Sequence, residues 1–230
     1  MDRSRDVDPS ARFGRRLGRT APGLDVFGRV RAAQGAVMDR GAYHADAAAL
    51  RASDQVTGDI WKLERSQVFF EAGDSAWEAF ASGDWERVLD IFDGERAAIR
   101  DDVARYARFG LRLRRLRIVE LPPTPYLQWE MHSHRIFVES GFEIRVLGAE
   151  RVRHLEGEQP LPELMVYGGR TLYHVRYDER WAPIGAKRID DPALAESAAH
   201  AITALYDQAE PLMDFFQREI AGRTQVAGRG

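Results

Sequence analysis

Two adjacent glycines, Gly168 and Gly169, stand between the runs ELMVY and TLYHVRY. Glycine enters the positive-φ region without steric cost, which both central positions of a tight hairpin turn require. This stretch therefore points to an antiparallel hairpin before anything else in the chain is read. Closing a two-residue turn pairs Met165 with Leu172, Leu164 with Tyr173 and Glu163 with His174. One face then carries Leu164, Val166, Tyr173, Val175 and Tyr177 as core, and the other carries Glu163, His174 and Arg176.

Further strands are expected around the hairpin, over 111–188. In LRLRRLRIV, Leu111 and Leu113 share one parity and Leu116 and Ile118 the other, so a bulge at Arg114-Arg115 or a late strand start is expected. Pro122, Pro123 and Pro125 end that strand, because proline cannot donate to a ladder. Tyr126 to Met131 reads as a second strand, with Leu127, Trp129 and Met131 on one face and Tyr126, Gln128 and Glu130 on the other. His132 to Gly141 reads as a short helical turn. Phe142 to Leu147 alternates as a third strand, and Trp181 and Ile184 mark a last one after a turn at 178–180.

Helical spacing governs the flanks. Leu24, Phe27, Val30 and Val37 recur at helical intervals, followed by an Ala-rich helix from Tyr43 to Ala52. Capped helices are expected at Asp74 to Ala81, around Trp85 to Phe92, and from Glu95 to Phe109 with Gly110 as the C-cap glycine. Asp191-Pro192 opens a long C-terminal helix that Pro211 kinks or restarts. The expected fold is α+β: a mostly antiparallel sheet of five to six strands with N-terminal helices and a long C-terminal helix. The expected organisation is a disordered basic arm over 1–22, a helical extension over 23–60, the α+β domain over 61–222 and a frayed tail over 223–230.

Of 230 residues, 44% are hydrophobic and none is cysteine, so the core is ample while disulfides, thiolate nucleophiles and Cys-bound metals are excluded. No run approaches the about 18 consecutive apolar residues of a membrane span. The start MDRSRDVDPS has no apolar core of a secretory signal, and a cytoplasmic location is expected. The net charge of -3 hides nine Arg against five Asp in the first 40 residues, a basic arm on an acidic body. Such an arm is either a solvated tail or a contact to nucleic acid or an acidic partner.

Several spaced segments, IRDDVARYARFGLRLRRLRIVELPPTPYLQWE, ESGFEIRVLGAE and ELMVYGGRTLYHVRYDERWAPIGAKRIDDPALAE, together resemble the actinobacterial DUF6879 family from about Trp61 to Arg218. The family pattern falls on Tyr126 and Glu130, on Gly141, Glu143 and Arg145, and on Asp191-Pro192. Phe142 separates Gly141 from Glu143, where family members place the acidic residue directly after glycine. The resemblance implies an uncharacterised protein encoded near helix-turn-helix regulators. It offers such a regulator, or a polar small molecule, as partner, and carries no catalytic signature.

The candidate site is Tyr126, Glu130, Glu143 and Arg145, if the two strands present them on one face. A carboxylate pair beside a guanidinium can bind a polar ligand or shift a carboxylate pKa for acid–base work; ordinary cross-strand ion pairs are the alternative. Two functional classes follow. One is a regulatory or interaction module of signalling or specialised metabolism, binding a polar ligand or a protein partner. The other is a small enzyme, a transferase acting on a polar or aminoacyl-tRNA-like substrate. Arg105, Arg108, Arg112, Arg114, Arg115 and Arg117 form a run without an intervening acid that could grip phosphates and, with the basic arm, make an RNA- or DNA-contacting surface. Arginines on an edge strand also simply block aggregation. His132 and His134 would share a face if extended, but a third ligand at recognisable spacing is missing, and surface or capping histidines are the simpler reading. His174 opposite Glu163 is an ion pair or an oriented base. Phosphate-binding glycine loops, dinucleotide fingerprints and nucleophile elbows are absent, so no cofactor is expected.

Overall fold

The computed structural model describes residues 26–223; the basic arm over 1–22 and the tail beyond Arg223 lie outside the described residues. The chain runs α1 (Val26–Ala32), β1 (Ala36–Asp39), α2 (Arg40–Ala52), β2 (Gly58–Glu64), α3 (Ser75–Ser82), α4 (Trp85–Gly94), α5 (Arg96–Arg108) and β3 (Leu111–Val119). It continues through α6 (Pro125–Glu139), β4 (Glu143–Gly148), β5 (Leu164–Tyr167), β6 (Thr171–Tyr177), β7 (Pro183–Ile189), α7 (Pro192–Tyr206), β8 (Glu210–Pro211) and α8 (Leu212–Glu219).

The strands form one eight-stranded sheet in the order β1-β7-β6-β5-β2-β3-β4-β8. It has more strands than the five to six expected and is mixed: β2 and β4 each run parallel to β3, and the other five of the seven pairings are antiparallel. Parallel neighbours need crossovers, and α3–α5 and α6 provide them.

Both faces of the sheet are covered, which explains the parity change in β3. Leu116 and Ile118 point to a core shared with Trp61, Leu63, Leu164 and Val166 and roofed by α1 and α7. Leu111 and Leu113 point to the other face, where Ile60, Met165, Tyr167 and Tyr173 meet α2. The ladder through Arg114 and Arg115 is unbroken on both sides, so no bulge is present there. A strand buried on two faces carries apolar residues on both parities, and a two-face alternation test misreads it.

The segment expected as a strand at Tyr126 to Met131 is the first half of α6. Thr124 caps it, its Oγ1 accepting from Leu127 N at 3.1 Å, and Pro125 occupies the first turn. The prolines that end β3 thus also start a helix. Because α6 lies between the sheet and α3–α4, it is buried on several sides and shows no single apolar stripe.

Two further expectations are corrected. The glycine turn has three residues: both Gly168 and Gly169 have positive φ, Arg170 N donates to Tyr167 O, and Tyr167 pairs with Thr171. The pairing consequently slips by one, setting Leu164 opposite His174 rather than Glu163. At the C-terminus Pro211 restarts the helix, one of the two expected outcomes: α7 and α8 are separated by β8, where Pro211 pairs with Arg145. Val37, assigned to a helical stripe, lies in edge strand β1 and is 63% exposed. Among the described residues no helix is long and apolar enough to cross a membrane.

Candidate functional site

On the face covered by α2 and α6, a cavity of about 460 Å³ opens between these helices and the sheet. From α6 it takes Tyr126, Trp129, Glu130, Ser133, His134 and Phe137, a stripe at intervals of three and four. From α2 come Arg40, Tyr43, His44, Ala47 and Arg51, by the same spacing. Lys62 and Glu64 of β2 and Arg115 of β3 form the floor, adjacent because β2 and β3 pair Lys62 with Arg115 and Glu64 with Arg117.

The floor is a network of buried charges. Arg117 donates from Nε to Glu130 Oε2 at 2.8 Å and from Nη1 to Ile118 O at 3.2 Å. Burial opposes its charge, yet Glu130 and Glu64 raise its pKa above the ordinary arginine value. Burial likewise opposes ionisation of Glu64, but Arg115, Lys62 and His134 hold it well below the usual carboxylate range. Its Oε1 lies 2.6 Å from Lys62 Nζ and its Oε2 3.4 Å from Arg115 Nε.

At one end of the floor the Tyr126 hydroxyl lies 2.9 Å from Glu71 Oε1 and 3.3 Å from Glu130 Oε1. A phenol has one proton, so it satisfies one carboxylate as donor and the other only as acceptor of that group's own proton. Burial, then the Glu130 charge, push the Glu71 carboxyl up, although the Tyr126 hydrogen bond opposes this.

His134 is neutral, its pKa lowered by burial and by Arg115. Its Nδ1 lies 2.8 Å from Glu130 O, a carbonyl that only accepts, so the proton belongs on Nδ1 and the Nε2 lone pair faces Arg115 Nη1. Glu64, Glu130 and His134 place one ligand atom each within 4.8 Å of one another, a set that could hold a metal. The Arg115 guanidinium, however, touches both Glu64 Oε2 and His134 Nε2 and supplies a cation there already.

Of the residues nominated from sequence, Tyr126 and Glu130 line the cavity. Glu143 and Arg145 do not join them. In the parallel register Arg145 is paired with Leu116 and Glu143 with Arg114, so both face the α7 side. There Glu143 pairs with Arg114 at 3.2 Å, and Arg145 donates to the carbonyls of Tyr206 and Ala209. The arginine run is divided in the same way: Arg115 and Arg117 enter the floor, while Arg112 and Arg114 on the opposite face pair with Asp59 and Glu143. Arg105 and Arg108 are exposed on α5, the former paired with Asp102. The run is therefore no continuous basic surface.

The histidines are likewise redistributed. His132 is not on the surface: its ring is wedged edge-on between Trp85 and Phe216, each centroid 4.9 Å away, and burial lowers its pKa to about 4. Glu64, Glu71 and Arg51 were missed from sequence. For Arg51 and the α6 stripe, a signal existed in the intervals of three and four within RGAYHADAAALR and YLQWEMHSHRIF. For Glu64 and Glu71 no local signal existed, since each lies beside its partners through sheet pairing or tertiary contact.

Fold and site together define an α+β protein with a charged, half-enclosed cavity on one face of a mixed sheet. The chain belongs to the DUF6879 family, a domain of unknown function, whose model matches residues 47–217. The match starts inside α2 rather than at β2, so Arg51 falls within it. A search of curated proteins gives no match.

Proposed function

We propose that the chain is a regulatory or interaction module that binds a small polar ligand in the cavity between α2 and α6. The observation that carries this is the Tyr126 hydroxyl held between Glu71 and Glu130 in the cavity wall. Cavities of roughly 300–1,000 Å³ with a few convergent polar groups are typical of small-molecule sites. The aromatic wall, Trp129, Phe137, Tyr43 and Tyr177 among it, suits a ligand with an apolar body. Screening amines, polyols and amino acids by their effect on melting temperature should find compounds that stabilise the chain. Tyr126→Phe should abolish that stabilisation while melting within a few degrees of the parent when unliganded. Compounds that stabilise both proteins equally, or none that stabilise either, would count against the site.

A transferase reading is favoured by one observation: the Tyr126 hydroxyl lies within hydrogen-bond reach of two carboxylates, Glu71 and Glu130, in a part-buried wall. A group positioned at Tyr126 could be deprotonated through Glu130, the general-base role, with Glu71 returning the proton. Turnover of an aminoacyl-type or other polar substrate that survives both Tyr126→Phe and Glu71→Gln would remove this reading.

A further inference from the structure

Arg40 and Arg51 stand on the cavity side of α2, eleven residues apart and so on one stripe of the helix, with Tyr43, His44 and Ala47 between them. Every guanidinium on the floor has a carboxylate: Arg115 has Glu64 and Arg117 has Glu130. The α2 arginines differ. Among the described residues neither lies within ion-pair distance of any carboxylate. Arg51 is part-buried, donates to the neutral Tyr167 hydroxyl at 3.1 Å and lies over the Tyr106 ring. The groups that act on its charge are Tyr167, Tyr106 and Tyr43. A part-buried guanidinium with aromatic neighbours and no counter-ion is unusual, because desolvation of a charge is ordinarily offset by pairing.

The Glu71 end of the same cavity has the opposite character. Glu71, Glu130 and Asp74 gather there, and the one cation acting on Glu71 is Lys62, itself paired with Glu64. The cavity thus has an anion-seeking wall and a wall of carboxylates.

Resting on the binding reading above, we propose that the ligand is a small zwitterion: its anionic group is held by Arg51 at one end of the cavity, and its amino group by Glu130 and Glu71 across Tyr126 at the other. The anion is a carboxylate or a phosphate monoester, which a guanidinium recognises through the same paired oxygens. The near balance of Arg40, Arg51, Lys62 and Arg115 against Glu64, Glu71, Asp74 and Glu130 suits a ligand of no net charge. The aromatic residues between the two walls leave room for an apolar body.

The test is titration calorimetry on the full chain with four probes. 4-(Aminomethyl)benzoate carries both groups at opposite ends of a ring, 4-methylbenzylamine lacks the anion, 4-methylbenzoate lacks the amine, and 4-(aminomethyl)phenyl phosphate replaces the carboxylate by phosphate. A zwitterion should bind at least about tenfold more tightly than either single-ended probe, the equivalent of one charge-assisted contact. Which of the two zwitterions binds better identifies the anion. Arg51→Gln should weaken zwitterions and 4-methylbenzoate by about tenfold and leave 4-methylbenzylamine unchanged, whereas Glu71→Gln should weaken zwitterions and 4-methylbenzylamine alone. Arg51→Lys, which keeps the charge and loses the paired donors, should fall between parent and Arg51→Gln, and Arg40→Gln, about three helical turns away, should leave all four probes unchanged. If 4-methylbenzylamine binds as tightly as 4-(aminomethyl)benzoate and both Arg51 variants are silent, the anion wall is wrong while the cavity reading stands. If 4-methylbenzoate alone binds and Glu71→Gln is silent, the amine wall is wrong. Absence of binding by all four probes overturns this inference, and it overturns the cavity reading only if the wider melting screen is also blank.

Discussion

Arg117 Nε lies 2.8 Å from Glu130 Oε2, with the arginine side chain 0% and the glutamate side chain 6% exposed. This pair joins the middle of the sheet to the middle of α6 and anchors the carboxylate that faces the cavity.

Breaking such a pair leaves an uncompensated charge in the interior, whereas removing both members does not. Arg117→Met and Glu130→Gln should each cost about 3–5 kcal/mol in urea unfolding. The double variant Arg117→Met/Glu130→Leu should cost less than either. A double variant that loses the sum of both would show that the pair is no unit.

Glu163 predicts a pH dependence. Its Oε1 accepts from Arg65 N at 2.9 Å and Ser66 N at 2.7 Å, and burial, assisted by Glu64, raises its pKa from 4.5 to about 7 against the pull of Arg117. A raised folded pKa means that the folded state holds the proton more tightly. Its stabilising contribution is complete below pH 4.5 and is lost as pH rises to about 7. His132 and His174, both lowered by burial to about 4, act in the opposite sense as pH rises from 4 to 6.5. The parent-minus-variant difference therefore isolates Glu163. Relative to Glu163→Gln, the parent should lose stability between pH 4.5 and 7 and run parallel above pH 8, as followed by urea midpoints. A difference that is flat with pH would show that Glu163 ionises normally.

Arg145 should matter for folding and not for the cavity. Its Nη1 donates to Tyr206 O at 3.2 Å, and its guanidinium lies 4.8 Å from the Tyr206 ring centroid, so it secures the end of α7. Arg145→Ala should lower stability by about 1–2 kcal/mol while every probe that binds the parent retains its affinity. Loss of binding in a folded Arg145→Ala protein would tie that residue to the site after all.

Gly185 lies where β7 meets edge strand β1. Its φ is +137°, and a Cβ there would stand 2.0 Å from Met38 O and 2.7 Å from the Asp39 carbonyl carbon. Gly185→Ala must push β1 away, at a cost of about 2 kcal/mol or more. Hydrogen exchange should then accelerate at 36–39 and in the first turn of α2, with β2 and β3 protected as before. Uniform acceleration would indicate that β1 is not a separable edge.

Much of the helical frame was legible: the capped helices at Asp74 and Asp191 and the helix ending before Gly110 stand where capping residues and spacing put them. The existence of the glycine hairpin was legible too. What failed shares a cause. LQWEM alternates over five residues, and within so short a window a helix buried on several sides looks like a strand. That one reading moved Tyr126 and Glu130 from a helix to a sheet and made Glu143 and Arg145 seem their neighbours. Parallel pairing was also invisible, because β2, β3 and β4 are neighbours only after long crossovers. Arg115 and Arg117 therefore looked like part of a basic surface, when burial between β2, β4 and α6 makes them the interior counter-charges of Glu64 and Glu130.

Asp39 is at once the last residue of β1 and the cap of α2, its Oδ1 accepting from Ala42 N at 2.8 Å. No linker separates strand from helix, and Asp46 of α2 is clamped to Arg188 of β7 at 2.7 Å and to the Tyr173 hydroxyl at 2.6 Å. The side of the chamber bearing Arg40 and Arg51 is accordingly hinged to the sheet margin like a shutter to its frame. Whatever loosens the outermost strand also widens the mouth, so admission of a guest and breathing of the margin should share one rate.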